Sequence, residues 1–113
     1  MARIEGYRFG RVEVDGREHT RDLIVLPGRV IGGWWRKDGH ALVLDDLASA
    51  LDELPERLVV GTGTMGRMRP DPEAIGALEK RGVQVEVHET PDAIRRYAEL
   101  DPKSAALAVH LTC

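Results

Sequence analysis

"LVVGTGTMGRMRPDPEAIGALEKRG", residues 58–82, runs from an apolar segment through a glycine-rich loop into a segment with helical spacing. The loop has the spacing G-x-G-x-x-G of a dinucleotide-binding turn, at Gly61, Gly63 and Gly66. In such turns the helix starts at the loop itself, where its free N–H groups meet the phosphates. Here Asp71 as N-cap predicts a helix that starts at Pro72, nine residues after Gly63. We therefore predict a strand, a loop and a helix of an α/β fold, and we expect NAD, NADP and FAD not to bind.

Helical and strand patterns alternate through the rest of the chain. Three segments have helical spacing: residues 45–54, residues 72–81 and a segment that begins with Thr90 as its N-cap. Residues 83–89 alternate strictly, which predicts an edge strand or a one-sided strand whose three valines, Val83, Val85 and Val87, point inward. Residues 104–113 form a continuous apolar run, which predicts a central strand. Because a helix joins the strand before Gly61 to the strand at 83–89, we expect these two strands to be parallel.

Two turn dipeptides, Asp15-Gly16 and Asp38-Gly39, predict β-hairpins in the first third of the chain. In the second hairpin Trp35 would face Leu42 and share a sheet face with His40. We therefore predict that Trp35 is a packing anchor, with a substitution by alanine costing about 3–5 kcal/mol.

The composition is that of one globular domain, residues 1–113, with a net charge of −3. We expect no nucleic-acid partner, because no basic stripe is interleaved with aromatic residues. We expect no membrane span, because no apolar stretch approaches the length of about 18 residues that one requires, and we find no apolar leader segment. The lone cysteine, Cys113, allows no internal disulfide, and this favours a cytoplasmic protein.

Several residues allow both a chemical and a structural interpretation. Asp22, before an apolar run, is either a buried carboxyl with a raised pKa or a hydrogen-bonded residue at a strand end. Asp45-Asp46 could be a catalytic pair, but we favour a helix cap. His110 is expected to be an interior or rim histidine. It has an H-x-x-C spacing to Cys113, yet the two side chains of a strand at that spacing point to opposite faces. We therefore predict neither a metal site nor catalytic residues.

A small anionic ligand is the binding alternative that the sequence supports. The two parallel strands should end at the same sheet edge, which is where sites in open α/β sheets form. We expect such a site to use the loop from Gly61 to Thr64 and the helix start beyond it, with these residues: Thr62, Gly63, Thr64, Arg67, Thr90 and His40. Gly63→Val is expected to obstruct this site and to leave the core strands intact.

Read as a whole, the sequence resembles the MTH-nine-three-eight-like domain family. The resemblance covers nearly the whole chain and rests on an ordered set of motifs: "YRFGRVEVDGREHTRDLIVLP", "WWR", the "GTG" loop, "RGVQVEV", T-x-x-A at Thr90 to Ala93 and Y-A-x-L at Tyr97 to Leu100. Ala98 departs from the pattern, where an asparagine is expected. The resemblance implies a three-layer α/β fold with a mixed central sheet, helices and an additional N-terminal β-hairpin layer.

Most members of that family are uncharacterised, and they include the adipogenesis-associated domain protein and a mitochondrial complex I assembly factor. Because the assembly factor acts as a binding partner, the resemblance favours a protein-interaction or assembly domain. Together with the composition, we therefore predict a non-catalytic, cytosolic interaction domain without a cofactor. Its protein partner is unknown, and a homodimer is an open alternative. Fold kinship alone does not assign a reaction.

Overall fold

The computed structural model describes residues 3–113. Met1 and Ala2 lie outside the described residues, although the predicted domain and the segment without an apolar leader both begin with them. In the first half, the strands are β1 (Ile4–Arg8), β2 (Arg11–Val14), β3 (Arg17–His19), β4 (Leu23–Val25), β5 (Val30–Ile31) and β6 (Ala41–Leu42). Two 3₁₀ turns follow, Leu44–Leu47 and Leu51–Glu53. The second half contains β7 (Arg57–Gly61), β8 (Arg69–Pro70), α1 (Pro72–Lys80), β9 (Gln84–His88), α2 (Thr90–Ala98) and β10 (Ala105–Val109).

A mixed five-stranded sheet with the order β5-β4-β10-β7-β9 forms the centre of the domain. Strands β7 and β9 are parallel, as predicted, β10 is parallel to β7, and β4 and β5 run antiparallel to their neighbours. β10 lies in the middle and all five of its residues are buried, as its continuous apolar run predicts. A separate antiparallel sheet, β1-β2-β3, supplies the additional N-terminal layer. The predicted three-layer α/β fold is confirmed.

Apolar side chains fill both faces of the central sheet. On one face, the sheet packs with α1, the first 3₁₀ turn and Trp34. On the other face it packs with α2 and with Val12 and Val14 of the N-terminal sheet. Because successive side chains of β10 alternate between these two clusters, a single buried strand joins the layers.

The helix after the glycine loop begins and ends where its sequence signals predict. The Asp71 carboxylate accepts a hydrogen bond from the Glu73 N–H at 3.1 Å, and Pro72 is the first helical residue. Gly82, just beyond the helix, has φ +85°, the left-handed conformation common at helix ends. The glycine loop is therefore separated from the helix start, whereas in a dinucleotide-binding turn the helix starts at the loop itself.

The first predicted hairpin is confirmed and the second is wrong. Asp15 and Gly16 both have positive φ and join β2 to β3. Instead of pairing across Asp38-Gly39, β5 pairs with β4, and β6 pairs in parallel with β8. The chain leaves the sheet at Gly32-Gly33, where Gly33 has φ +62°.

Two further local predictions are wrong. Residues 45–54 form no α-helix, and the two 3₁₀ turns take their place while still burying Leu47 and Ala50. The 3₁₀ turns bury the apolar residues that the helical spacing marked, so tertiary packing rather than the local spacing decides the backbone geometry here. Val87, predicted inward, is 43% exposed because it lies near the end of the edge strand β9.

Candidate functional site

The carboxyl ends of β7 and β9 meet at one edge of the sheet, as predicted. The Gly63 N–H donates to Thr90 Oγ1 at 2.8 Å, and the Thr90 hydroxyl donates to the His110 carbonyl at 2.6 Å. Thr62 Oγ1 donates to the His88 carbonyl at 3.0 Å. Thr62 and Thr90 are buried, and their polar atoms bond within the protein. Thr90 is also not the N-cap of α2, which is Glu89, one residue earlier.

The other predicted site residues are exposed and more dispersed. The Thr64 hydroxyl shares a hydrogen bond with the Tyr7 hydroxyl, and Arg67 extends into solvent. His40 is linked to this region through its backbone, since its carbonyl accepts from the Arg69 N–H at 2.9 Å. Among residues 3–113, no hydrogen bond joins the His40 ring to the threonines of the predicted site.

A buried cluster of Asp22, Arg36 and His110 lies beside this edge. Asp22 Oδ2 is 2.7 Å from Arg36 Nη1 and 2.8 Å from His110 Nδ1, and Asp22 Oδ1 accepts from the Leu111 N–H at 2.8 Å. The Arg36 side chain is only 3% exposed. Its guanidinium also donates to the Gly39 carbonyl at 3.1 Å and lies 4.9 Å from the centre of the Trp34 ring. The cluster thus ties β4, the segment after β5 and the end of β10 together.

The charges of this cluster decide between the two interpretations of Asp22. Burial raises the pKa of the Asp22 carboxyl, but hydrogen bonds from His110, the Leu111 N–H and Arg36 outweigh it, so its pKa is lowered. Asp22 is therefore an ionised, hydrogen-bonded residue at a strand end, and the alternative of a raised pKa is wrong. His110 is buried, as predicted, at 8% exposure.

The Nδ1 atom of His110 lies within hydrogen-bond distance of two side chains, Arg36 and Asp22. Arg36 Nη2 lies 3.0 Å from Nδ1, and Asp22 Oδ2 lies 2.8 Å from it. Nδ1 donates to Asp22 if it carries the proton and accepts from Arg36 if it does not. On the other side of the ring, Nε2 lies 3.3 Å from the Thr112 hydroxyl. In the tautomer that donates to Asp22, Nε2 accepts from the Thr112 hydroxyl, and in the tautomer that accepts from Arg36, Nε2–H donates to that hydroxyl.

Sequence reasoning missed Arg36 as a member of this cluster. Arginine is almost never fully buried unless it is paired, and nothing near Arg36 in the chain signals a partner. Its side-chain partners, Asp22 and His110, are 14 and 74 residues away in sequence. The only usable signal was its place directly after two tryptophans, an unusual environment for a charged side chain.

The two tryptophans occupy opposite environments, and the prediction for Trp35 is wrong. Trp34 is 6% exposed, and its indole N–H donates to the Asp46 carbonyl at 2.7 Å. Trp35 is 76% exposed. Since the expected hairpin does not form, Trp35 has no strand partner in Leu42, and Trp34 fills the core instead. Trp35 is therefore not a packing anchor.

Trp35 lies on a cleft of about 580 Å³ between the end of β5 and the first 3₁₀ turn. Apolar surface comes from Ile31, Val43 and Ala48 and from both tryptophans, and charged groups come from Lys37, Asp45 and Asp46. Asp46 accepts from the Val43 N–H at 3.0 Å, so it caps the turn as the structural interpretation of the aspartate pair predicts. We refer to this region as the Trp35 cleft.

A second charged cluster surrounds Glu86 on β9. Arg96 of α2 donates to it at 2.8 and 3.0 Å, and Arg57 of β7 and His88 also contact it. The hydrogen bond from Arg96 is the largest of the effects that lower the pKa of Glu86 to about 2, against the opposing effect of burial. Arg57 lies on the neighbouring strand β7 and Arg96 lies on α2, so this cluster links both elements to the edge strand.

Metal-binding clusters and membrane-spanning helices are both absent from residues 3–113. No group of three or more His, Cys, Asp or Glu side chains in this range could hold a metal ion. No helix within the same residues has the length and hydropathy needed to cross a bilayer.

Fold and site together define a protein with a mixed central sheet, two α-helices and an additional N-terminal sheet within residues 3–113. The model of a family described as "Protein of unknown function (DUF498/DUF598)" matches residues 4–111. The chain belongs to this family.

Solved structures with the same fold include relatives of nearly equal length. The conserved hypothetical protein PH1505 from Pyrococcus horikoshii OT3 is 30% identical, with a TM-score of 0.82 over 98% of this chain and 99% of that one. A protein named MT938 is 25% identical, with a TM-score of 0.76 and full coverage of both chains. A Mth938-like domain from Bordetella pertussis, a structural genomics target, is 22% identical and covers 97% of this chain and 85% of its own, with a TM-score of 0.74. The resemblance to the MTH-nine-three-eight-like domain family is confirmed. None of the three names states an activity.

Proposed function

We propose that this protein is a non-catalytic, cytoplasmic interaction domain that binds a protein partner through the Trp35 cleft. The observation that carries the proposal is the 76% exposure of Trp35 on an apolar cleft. Tryptophan is enriched at protein interfaces and among the residues that dominate binding energy. A second copy of the chain is one partner that this surface could accept.

The surroundings of Trp35 support a protein interface. The cleft is lined by apolar side chains and by the charged residues Lys37, Asp45 and Asp46. Protein interfaces ordinarily combine apolar and polar residues in this way. The backbone beneath is held in place, because Asp46 accepts hydrogen bonds from the N–H groups of Lys37 and Val43. A partner would therefore meet a surface whose backbone is already ordered.

Trp35→Ala tests the proposal by separating binding from stability. We expect the free energy of unfolding to change by no more than about 0.5 kcal/mol, because the side chain is exposed. We expect a protein that co-purifies with the tagged wild type from its own cells to be lost, with its affinity reduced by about 30-fold or more. Urea unfolding and quantitative mass spectrometry, followed by titration of the purified pair, measure the two effects.

Phe9→Ala is the matched control, since Phe9 is an aromatic residue that is 61% exposed and does not line the Trp35 cleft. Its co-purifying proteins should match those of the wild type. Light scattering of the purified chain tests a second copy as the partner. If the partner is a second copy, the wild type is a dimer and Trp35→Ala is a monomer. If neither a foreign partner nor a dimer depends on Trp35, the proposal is wrong.

A small anionic ligand at the loop from Gly61 to Thr64 is the second candidate. It is favoured by the approach of Gly63 to Thr90 at the start of α2, with Arg67 exposed nearby. It ranks below the interaction proposal because the hydroxyls of Thr62 and Thr90 already bond to backbone groups.

Phosphate titration followed by amide NMR tests this second candidate. Binding at this edge would shift the amide signals of Gly63, Thr64, Arg67 and Asp92, and would saturate at millimolar phosphate. Arg67→Ala is then expected to weaken the response, whereas Arg29→Ala, at an exposed pair with Glu53, should not change it. An absence of saturable shifts at these amides would remove the candidate.

A further inference from the structure

Two further clefts adjoin the Trp35 cleft around the first 3₁₀ turn. One, of about 540 Å³, shares the lining residues Lys37, Val43 and Asp46 with it. The other, of about 360 Å³, shares Val43 and Asp45 with it and extends to the start of α1. Because they share lining residues, the three clefts are neighbouring parts of one surface, which we call the extended groove.

The charged residues that line the extended groove are nearly all acidic. Lys37 is the one basic residue among them. The acidic residues are Asp38, Asp45, Asp46, Asp71 and Glu73. Among residues 3–113, none of these carboxylates forms an ion pair, whereas Glu53 and Glu86 elsewhere in the chain both pair with arginines. A groove lined by one sign of charge attracts the opposite charge, so this one favours a cationic partner.

Trp35 adds an exposed aromatic ring to these carboxylates. An arginine guanidinium stacks on tryptophan and at the same time pairs with a carboxylate through its edge. The neighbouring tryptophan shows this combination within the same protein. The Arg36 guanidinium carbon lies 4.9 Å from the centre of the Trp34 ring, and Arg36 Nη1 lies 2.7 Å from Asp22 Oδ2. Arginine is therefore the side chain that suits both the ring of Trp35 and the acidic lining.

We propose that the Trp35 cleft binds a basic segment of the partner protein, with an arginine guanidinium stacked on Trp35 and paired with Asp45. Asp45 is exposed, and among residues 3–113 no hydrogen bond or ion pair occupies its carboxylate. Further basic side chains of the segment lie along the carboxylates of the two adjoining clefts. This inference rests on the proposed function and names the chemistry of the partner. It favours a different protein over a second copy, because this chain has a net charge of −3 and like charges repel.

A capped peptide of three arginines and its counterpart of three citrullines test this proposal, because citrulline keeps the shape of arginine and lacks its charge. Each is titrated into the full chain at low salt and followed by amide NMR. The arginine peptide is expected to shift the amides of Trp35, Lys37, Asp45 and Ala48, and to bind about 5-fold or more tightly than the citrulline peptide. Its affinity should fall as the ionic strength rises, because salt screens exposed charges. Equal affinities for the two peptides, or shifts confined to other regions, would overturn the proposal.

Asp45→Asn and Trp35→Ala measure the two contacts of the arginine separately. Asp45→Asn removes the charge and keeps the size, so it is expected to weaken the arginine peptide by about 2- to 5-fold and to leave the citrulline peptide unchanged. Trp35→Ala should weaken the arginine peptide by about the same factor. Asp101→Asn is the matched control, since Asp101 is an exposed aspartate that does not line the extended groove. A loss with Asp101→Asn as large as with Asp45→Asn would show that net charge alone attracts the peptide and would refute the assignment.

The same variants distinguish a failure of this inference from a failure of the interaction proposal. Suppose that a partner protein is lost with Trp35→Ala but binds equally well to Asp45→Asn and at higher salt. The interaction proposal would then stand and this inference would be wrong. A dimer of the purified chain that Trp35→Ala dissociates would have the same meaning. If no partner depends on Trp35 while the peptides behave as expected, the interaction proposal is wrong and the preference of the cleft for an arginine stands.

Discussion

Asp22→Ala is expected to lower the free energy of unfolding by about 3–5 kcal/mol, because it leaves the charge of Arg36 buried without its partner. The Arg36 side chain is 3% exposed, so water cannot replace the carboxylate. Asp22→Ala also removes the acceptor of the Leu111 N–H. Urea unfolding at pH 7 measures the loss.

Two further variants show how much of this loss of stability comes from the buried ion pair between Asp22 and Arg36. Glu53→Ala removes the partner of Arg29 in a pair whose side chains are 52% and 43% exposed, and it should cost no more than about 1 kcal/mol. Asp22→Ala combined with Arg36→Met should cost less than the sum of the single variants, because no unpaired charge remains. A loss with Asp22→Ala no larger than with Glu53→Ala would contradict the proposed importance of the buried cluster.

The Asp22 carboxylate is also expected to make the free energy of unfolding depend on pH in acid. Because the pKa of Asp22 is lower in the folded than in the unfolded state, its contribution to stability is complete above its unfolded pKa of about 3.9. That contribution is lost as the pH falls through the lower, folded pKa. The difference in unfolding free energy between wild type and Asp22→Asn should therefore be constant near neutrality and narrow below about pH 4.

Gly63→Ala is expected to destabilise the protein by about 2–5 kcal/mol, from backbone strain together with overpacking. Gly63 has φ +106°, which side chains other than glycine rarely adopt. A Cβ atom there would lie 2.5 Å from the backbone carbon of Cys113 and 2.9 Å from the His110 ring. Backbone at that distance cannot rotate away as a side chain can. The expectation that Gly63→Val leaves the core strands intact stays a prediction, because the atoms that a Cβ would meet lie beyond the end of β10.

Gly76→Ala is the matched control for this prediction. Gly76 lies within α1, and a Cβ atom there would meet no other atom within 4 Å. The same substitution should thus stabilise the protein, by about 0.4–1 kcal/mol, because alanine favours the helix and restricts the unfolded chain. Thermal or urea unfolding of the two variants should give shifts of opposite sign, and shifts of the same sign would refute the steric argument.

Local signals in the sequence determined much of the fold. The limits of α1 follow from Asp71, Pro72 and Gly82, each of which acts within one helical turn. The central place of β10 follows from its uninterrupted apolar residues, since a strand covered on both faces needs no polar side. The approach of Gly63 to Thr90 could be predicted as well, because a helical connection makes β7 and β9 parallel and brings their ends together.

Only the tertiary structure decided which side chains form the clusters and clefts. Trp34 and Trp35 are chemically identical neighbours. Because the second hairpin does not form, Trp34 is buried and Trp35 is exposed. Arg36 depends on Asp22 and His110, which lie on other strands and are distant in the chain. The physical reason is one of range: caps, turns and apolar periodicity act over a few residues, whereas burial of a charge or a ring depends on what the folded chain brings against it.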